Sequence, residues 1–457
     1  MSGNPATPLA YAELHRERFV EELREACRIP SVSSEAGPAM REMADWLVAR
    51  LGGLLDEVDL YEAPQGAPVV IGTMAGESPS TLLLYSHYDV QPAGPAAAWS
   101  VDPFAAEVRG DRMIARGACD DKADVMARIH ALEAWTRTRG RPPVTVRWLC
   151  DGDEEDGSVA LRHLVENAPD LIRADACLWE SYLRRADGRP QVGFGARGLL
   201  HVELSVCLLA RDQHSSLASL YRSAPALLVA ALDTLHDADG RVAIDAFHDD
   251  VIAPEAAALA LVDDLEPPAG SAVAIPGVDP FLTAVPGERM RRLIYEPTAN
   301  ISAIWSGHSP DQPVTVLPAA AHATVDFRLS PGQTPAAACA RLRGHLAARG
   351  FDEVEVRVLG EFLPSHSPVD TPLAGAVVDA AADTLGEPEV WPIVPPSGPL
   401  HLITDGLGVE QVTPAGCTRP DSAIHGPDEQ VRLDDYFDVV RFNVRLFELL
   451  EERGGVL

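Results

Sequence analysis

Five side chains able to bind a metal ion stand along the chain, all but Glu180 close to further acidic residues: His87, Asp120, Glu155, Glu180 and His425. Leu82-Leu83-Leu84-Tyr85-Ser86-His87-Tyr88-Asp89-Val90 reads as a buried strand ending in His-x-Asp. Residues i and i+2 of a strand share a face, and the carboxyl end of such a strand opens on the crevice where α/β proteins bind ligands. Imidazole is a common zinc ligand, and its second nitrogen needs a partner to fix tautomer and orientation. Asp89 suits that second role. Asp120 and Asp121 follow Gly117-Ala118-Cys119 just before a helix. Asp121 suits a helix cap, and Asp120 suits a carboxylate bridging two cations.

Glu154 and Glu155 sit in Asp151-Gly152-Asp153-Glu154-Glu155-Asp156-Gly157, after a buried strand. Adjacent residues point in different directions, so one can bind metal while the other faces an attacking water. A metal lowers the pKa of its water towards about 7, and a nearby carboxylate can then take the proton. Glu180 ends the strand Ala176-Cys177-Leu178-Trp179, and His425 lies in a loop before the last helix. Singly, these read as a loop histidine, a cap or a solvated turn. Together they supply two three-ligand cations sharing one acid, at the roughly 3.5–4 Å spacing of two-metal hydrolases.

The elements that must position them alternate. Helical periodicity runs over Tyr11 to Arg28, Ala39 to Leu51, Asp121 to Arg137 and Val159 to Asn167. In the helix from Asp121, the residues Val125, Ile129, Leu132 and Trp135 fall on one side. Pro68 to Met74, Thr81 to Ser86, Val144 to Cys150 and Ala176 to Trp179 read as strands. The rhythm predicts a largely parallel α/β sheet. From Leu199 the texture changes to alternating strands, at Leu199 to Leu209, Ile301 to Ile304, Val314 to Leu317, Ala321 to Leu329 and Glu353 to Val358. Helices at Ala224 to Thr234 and Pro335 to Ala348 accompany them, and Ala253 to Pro286 reads as helix and loops. α/β character returns near Leu363, with helices at Leu373 to Leu385 and Leu433 to Glu452 and a short strand at Gln411 to Thr413. The reading is an α/β fold with a discontinuous catalytic domain, residues 1–198 and 363–457, and an inserted α+β unit, residues 199–362.

The 457 residues carry 68 acidic and 37 basic side chains, a net charge of −31. Such a balance argues against nucleic-acid and anionic-membrane partners. No apolar run has the length of a membrane span. Met1 to Arg18 holds no signal-peptide core, so a cytoplasmic location is expected. The seven cysteines are scattered, odd in number and without a CxxC, which speaks against a disulfide framework or a thiolate zinc site.

The motifs SHYDVQP, GACDDK, DGDEEDGS and IHGPDE, jointly very specific, resemble the aminoacylase/carnosinase family of di-zinc metallopeptidases. The resemblance runs from about Tyr11 to Leu450. SHYDVQP followed by Trp99-Ser100-Val101-Asp102-Pro103-Phe104 is most similar to the dipeptidase branch, whereas Glu180 is commoner in the aminoacylase and carboxypeptidase branches. It implies a di-zinc exopeptidase fold whose inserted unit serves as lid and dimerisation domain of a homodimer. It implies two divalent ions per chain, zinc first, manganese or cobalt as alternatives. His87 and Glu180 would hold one ion, Glu155 and His425 the other, and Asp120 both, with a cis peptide between Asp120 and Asp121. Glu154 would be the general base, drawing a proton from metal-bound water, and Asp89 would orient His87. His214 would reach the partner subunit's site and stabilise an oxyanion. Thr315 and Arg328 would hold the substrate carboxylate, with Ser397 and Gly398 closing over it. The implied substrate is a dipeptide or small peptide with a free C-terminal carboxylate. The alternatives are an N-acyl amino acid or the substrate of a specialised biosynthetic amide hydrolase. A non-catalytic binding homologue would be expected to lack a ligand or Glu154, and none is missing.

Overall fold

The strand carrying His87, Ser78–His87, is apolar from Leu82 to Tyr85 and buried over its last six residues. A strand of that kind needs cover on both faces. It lies inside a six-stranded sheet ordered Glu57–Tyr61, Val69–Met74, Val144–Asp151, Ser78–His87, Ala176–Leu178, Glu410–Val412 in the computed structural model. The structure describes residues 6–35, 37–263, 265, 281–282, 285–308, 311 and 313–457. Ser78–His87 pairs in parallel with Val144–Asp151 and Ala176–Leu178, and the latter in parallel with Glu410–Val412. The first two strands join antiparallel. The sheet is therefore mixed at one side. The edge strand Glu57–Tyr61 escapes a sequence reading because none of its residues is fully buried, so no apolar run marks it. Register sets His87 opposite Asp151, which levels the end of one strand with the loop after the next.

Helix Lys122–Arg139 crosses behind these strand ends. It is not one-sided as its periodicity suggested: every residue from Lys122 to Trp135 is buried, Lys122, Asp124, Arg128, His130 and Glu133 included. It packs between the long closing helix Leu433–Glu452 and the N-terminal helices. Its charges are accommodated by specific partners. Arg128 donates to the Tyr85 and Trp179 carbonyls and, at 3.0 Å, to Ser86 Oγ, tying together the strands that present His87 and Glu180. The Tyr85 and Trp179 rings stack beneath, with centroids 3.5 Å apart. The helix expected over Tyr11 to Arg28 is two, Pro8–Leu14 and Arg16–Arg28, broken at His15. The break lets Tyr11 lean on His15 while Phe19 stacks on buried His130 at 3.8 Å.

A second sheet, entirely antiparallel, is ordered Thr298–Ser306, Ala320–Leu329, Gly198–Cys207, Glu355–Phe362. Strict alternation of burial in Gly198–Cys207 and Ala320–Leu329 turns one face to the helices Ala224–Asp233 and Pro335–Ala348. Leu200, Val202, Leu204, Val325, Phe327 and Leu342 fill that interface. Helix Ala256–Asp263 falls within the stretch read as helix and loops, of which 266–280 lies outside the described residues. Helix Pro286–Tyr295 follows. The strand expected over Val314 to Leu317 is only Val316–Leu317, paired with Gln213–His214.

The chain passes into and out of this second sheet at one place. A Cβ on Gly198 would lie 2.7 Å from Pro364 Cδ and 2.8 Å from Pro364 N, so the two passing segments touch through bare backbone. Buried Arg197 binds the carbonyls of Leu293, Glu296, Arg328 and Leu329 there at 2.6–3.0 Å. No described helix is long and apolar enough to cross a membrane.

Candidate metal centre

Three loops leave the carboxyl end of the first sheet and meet the His425 loop. His87 Nε2 lies 3.1 Å from Asp120 Oδ1, and His425 Nε2 lies 3.0 Å from Asp120 Oδ2. One carboxylate thus stands between two imidazoles, an oxygen to each. Glu180 Oε2 lies 3.6 Å from His87 Nε2, and Glu155 Oε1 lies 3.1 Å from His425 Nε2. The Asp120–Asp121 peptide is cis, as the resemblance implies. Asp121 makes no side-chain cap on the following helix. Its Oδ2 instead accepts the His87 N–H at 3.3 Å, and it groups with His87 and Glu180.

Asp89 is fully buried and does more than the sequence reading gave it. Its Oδ1 lies 3.3 Å from His87 Nδ1, and its two oxygens accept the N–H groups of Glu154 and Glu155, each at 3.1 Å. One side chain therefore orients an imidazole and fixes the turn carrying both glutamates. The Asp89 carbonyl, 3.2 Å from His87 Nδ1, favours the same tautomer.

Charge in this small volume is lopsided, with Asp89, Asp120, Asp121, Glu154, Glu155 and Glu180 against two imidazoles. Burial, then the neighbouring Glu180, pushes the Glu154 carboxyl well above the usual range. Burial raises Glu180 to about 7 despite His87. Asp120 is held below its ordinary value: burial opposes its charge, and the two imidazoles overcome it. Hydrogen bonding to Asp120, then Glu155, raises His425 to about 10. The acids draw positive charge to the centre.

The donor set fits divalent ions. The ligand atoms of His87, Asp121 and Glu180 lie within 4.8 Å of one another, as do those of Asp120, Glu155 and His425. Glu180 Oε2 is buried without a hydrogen-bond partner, and Glu155 Oε1 faces His425 Nε2. Buried carboxylate oxygens are normally paired or bound to metal. Imidazole and carboxylate together suit zinc, and manganese or cobalt as well.

The remaining candidates divide. Arg328 donates to Ser397 Oγ at 2.8 Å, and Ser397 Oγ donates to the Gly198 carbonyl. Gly398 follows, and a Cβ built on it would lie 3.7 Å from Glu154 Oε1. Arg328, Ser397 and Gly398 thus form a line from the second sheet to Glu154. His214 and Thr315 are neighbours on the second sheet's unit, both exposed, where the Thr315 carbonyl accepts the Ser215 N–H at 3.1 Å. The His214 ring meets Ser216 at 2.9 Å.

Several residues at the centre carry no assignment in the sequence reading. Gln91 donates to Glu155 Oε2 at 2.9 Å. Arg116 and Glu429 form a buried ion pair of 2.6 Å behind Asp120 and His425. A signal existed for all three, since each lies in or beside a quoted motif. What sequence does not tell is which charges are buried and which partner is found across 313 positions, the separation of Arg116 and Glu429.

The sequence pattern of Peptidase family M20/M25/M40 matches residues 83–449. Beta-Ala-His dipeptidase from Homo sapiens is 28% identical over 375 residues, covering 76% of this chain and 73% of that protein. Cys-Gly metallodipeptidase from Schizosaccharomyces pombe is 30% identical over 330 residues, covering 66% of this chain and 67% of that protein. The crystal structure of an M20 family metallo-carboxypeptidase from Sulfolobus solfataricus superposes with a TM-score of 0.86 at 30% identity, covering 95% of this chain and 99% of that one.

Proposed function

The chain belongs to peptidase family M20/M25/M40, and from that membership we propose that it hydrolyses the amide bond of dipeptides or small peptides bearing a free C-terminal carboxylate. The observation that carries the reading is Asp120, with one oxygen 3.1 Å from His87 and the other 3.0 Å from His425, each imidazole having its own glutamate. His87, Asp120 and Glu180 would hold one divalent ion, and Asp120, Glu155 and His425 the other, with zinc the first choice. When bound, such ions polarise a substrate carbonyl and acidify water.

The chain's own groups then divide the work. Glu154, fixed through its N–H by Asp89, takes a proton from the attacking water and passes it to the departing amine. Its raised proton affinity suits it to hold the proton between those two events. Arg328 holds the substrate carboxylate, and Ser397, which accepts from Arg328, closes over it with Gly398, whose bare backbone leaves room beside Glu154. Asp89 keeps His87 in one tautomer. The inserted unit acts as lid and dimer contact of a homodimer in which His214 serves the partner's site and Thr315, its neighbour, holds the carboxylate of the substrate bound there. Their exposure on the second sheet's unit supports that placement. A cytoplasmic location agrees with seven free cysteines, six of them buried.

The test is a panel of free dipeptides and N-acyl amino acids on zinc-loaded protein, with Glu154→Gln beside it. Dipeptides should be the better substrates. Glu154→Gln should lose at least about a hundredfold in kcat, the scale of general-base catalysis, while retaining both ions. Preference for N-acyl amino acids would move the chain to the deacylase alternative. An active Glu154→Gln protein would overturn the mechanism.

A further inference from the structure

The steps above use neither charge of the ion pair behind the centre. Arg116 and Glu429 are each 1% exposed. Glu429 Oε2 accepts the Gly117 N–H at 3.1 Å, and Oε1 accepts those of Cys119 at 3.0 Å and Asp120 at 3.3 Å. Arg116 places one arm on Glu429 and the other on the carbonyls of His425, at 3.1 Å, and Pro92, at 3.2 Å. Next to Pro92 is Gln91, which holds Glu155. The pair therefore touches the segments that supply Asp120 and His425 directly, and reaches Glu155 through Pro92 and Gln91.

The His425 loop needs such support. Ala423, His425 and Asp428 have φ of 54°, 58° and 56°, a left-handed backbone that non-glycine residues rarely adopt and that persists where surroundings impose it. The contacts on this loop include Arg116 on the His425 carbonyl and Asp428 Oδ1 accepting the Ser100 N–H at 2.8 Å, beside the loop's own Gly426 N–H to Ala423 carbonyl bond of 2.8 Å. Stability alone is a poor account of the pair, because apolar residues often replace a buried ion pair without loss. Apolar residues could not accept three N–H groups from one loop and donate to a carbonyl of another.

We propose that Arg116 and Glu429 are positioning residues that set Asp120 and His425 at the geometry needed to bind two ions. This rests on the two-metal reading. Arg116→Lys keeps a positive charge near Glu429 but has no second arm for His425 and Pro92. Glu429→Gln keeps the shape and puts an amide N–H₂ against the Arg116 arm or the loop N–H groups. The experiment is zinc binding to the full chain by competition with a chromogenic chelator, with kcat and KM on a dipeptide and thermal unfolding measured in parallel. His425→Ala identifies which binding phase belongs to the His425 side.

Arg116→Lys should weaken that phase ten- to hundredfold, the usual effect of a residue supporting metal ligands, and leave the other near its wild-type value. Activity at limiting zinc should fall by the same factor and return with excess zinc, at unchanged KM. Glu429→Gln should weaken both phases, since Asp120 serves both ions. If Glu429→Gln does not fold, Arg116→Lys decides alone. Wild-type affinity of both phases in Arg116→Lys, with or without lower thermal stability, would leave the pair a structural one and overturn the inference. A wild-type chain binding no zinc would instead overturn the two-metal reading beneath it.

Discussion

Replacing Asp89 by Asn changes one oxygen into N–H₂ and almost no volume, at a fully buried position. Its carboxylate faces three donors: the Glu154 N–H and His87 Nδ1 at Oδ1, and the Glu155 N–H at Oδ2. An asparagine amide has one oxygen for them. Keeping the oxygen at the Oδ1 position preserves two contacts and sets N–H₂ against the Glu155 N–H. The opposite flip loses two, so the first is favoured. One buried N–H is then left without an acceptor, at about 1–3 kcal/mol. Bonds to a charged acceptor are also stronger than bonds to a neutral one, which brings the total to about 2–4 kcal/mol. Part of that loss falls on the fold and part on the centre, because the group displaced belongs to Glu155. Urea denaturation of Asp89→Asn should show the lower stability, and zinc titration a weakening of about ten- to hundredfold. Asp89→Ala, leaving all three donors without a carboxylate, should be worse on both counts. A denaturation midpoint and zinc affinity equal to wild type in Asp89→Asn would refute the view that this carboxylate fixes the glutamate turn.

Mixing inactive His214→Ala with inactive Glu154→Gln protein should restore near a quarter of wild-type activity after random subunit exchange, as expected for sites shared across a two-fold axis. Recovery absent despite demonstrated exchange would return His214 to its own subunit. Burial, with Arg162 adding to it, holds the His401 imidazole down to about 4. An unfolded histidine titrates near 6.5. The unfolded chain therefore binds the extra proton between these values, and stability complete above pH 6.5 drains as pH falls towards 4, by about 2–3 kcal/mol. Denaturation of His401→Gln across pH 4–6.5 should show a shallower slope than wild type, and parallel slopes would count against burial as the cause. Gly198→Ala places a Cβ 2.7–2.8 Å from Pro364. It should cost about 1–3 kcal/mol as overpacking with zinc affinity retained, and a wild-type melting profile would show that the crossing can open without strain.

The central strands and long helices were legible because burial on both faces or a helical period leaves a mark in the residues themselves. Ser78–His87 and Leu433–Glu452 are of this kind. The edge strand Glu57–Tyr61 and the helix His401–Leu407 carry little such mark, the one half-exposed, the other seven residues long. The helix from Lys122 misled in the other direction. Its apolar residues were read on one side only, whereas its polar residues are buried too: Arg128 reaches strand-end carbonyls and Lys122 donates to the carbonyls of Ala26 and Ile29 at 3.0 and 2.7 Å. At the centre, residue types and order announced the ligand candidates. The roles of Glu429, Arg116 and Gln91 depend on contacts closed by the fold, and so does the displacement of Asp121 from cap to companion of His87. The motifs mark where these residues stand, but not which partners the fold brings to them.

The place where Gly198 meets Pro364 also sets a timetable. The strands bearing His87, Asp151 and Leu178 leave the ribosome early, and the acids that follow them come with them. The sheet's last strand, Glu410–Val412, and His425 emerge only after the whole second sheet has been made. More than two hundred residues separate Gly198 from His425, which at 5–20 residues per second is roughly 10–45 s of synthesis. Throughout that interval Asp120 has one histidine and no second, and the loop it belongs to has no Glu429 to hold it. The second sheet needs nothing from the tail for its own core, so it can fold while the first waits. A chain broken off anywhere between residues 180 and 425 carries the acids of the centre and only half of its imidazoles. Assembly of the proposed centre thereby waits for the segment that carries His425 and Glu429.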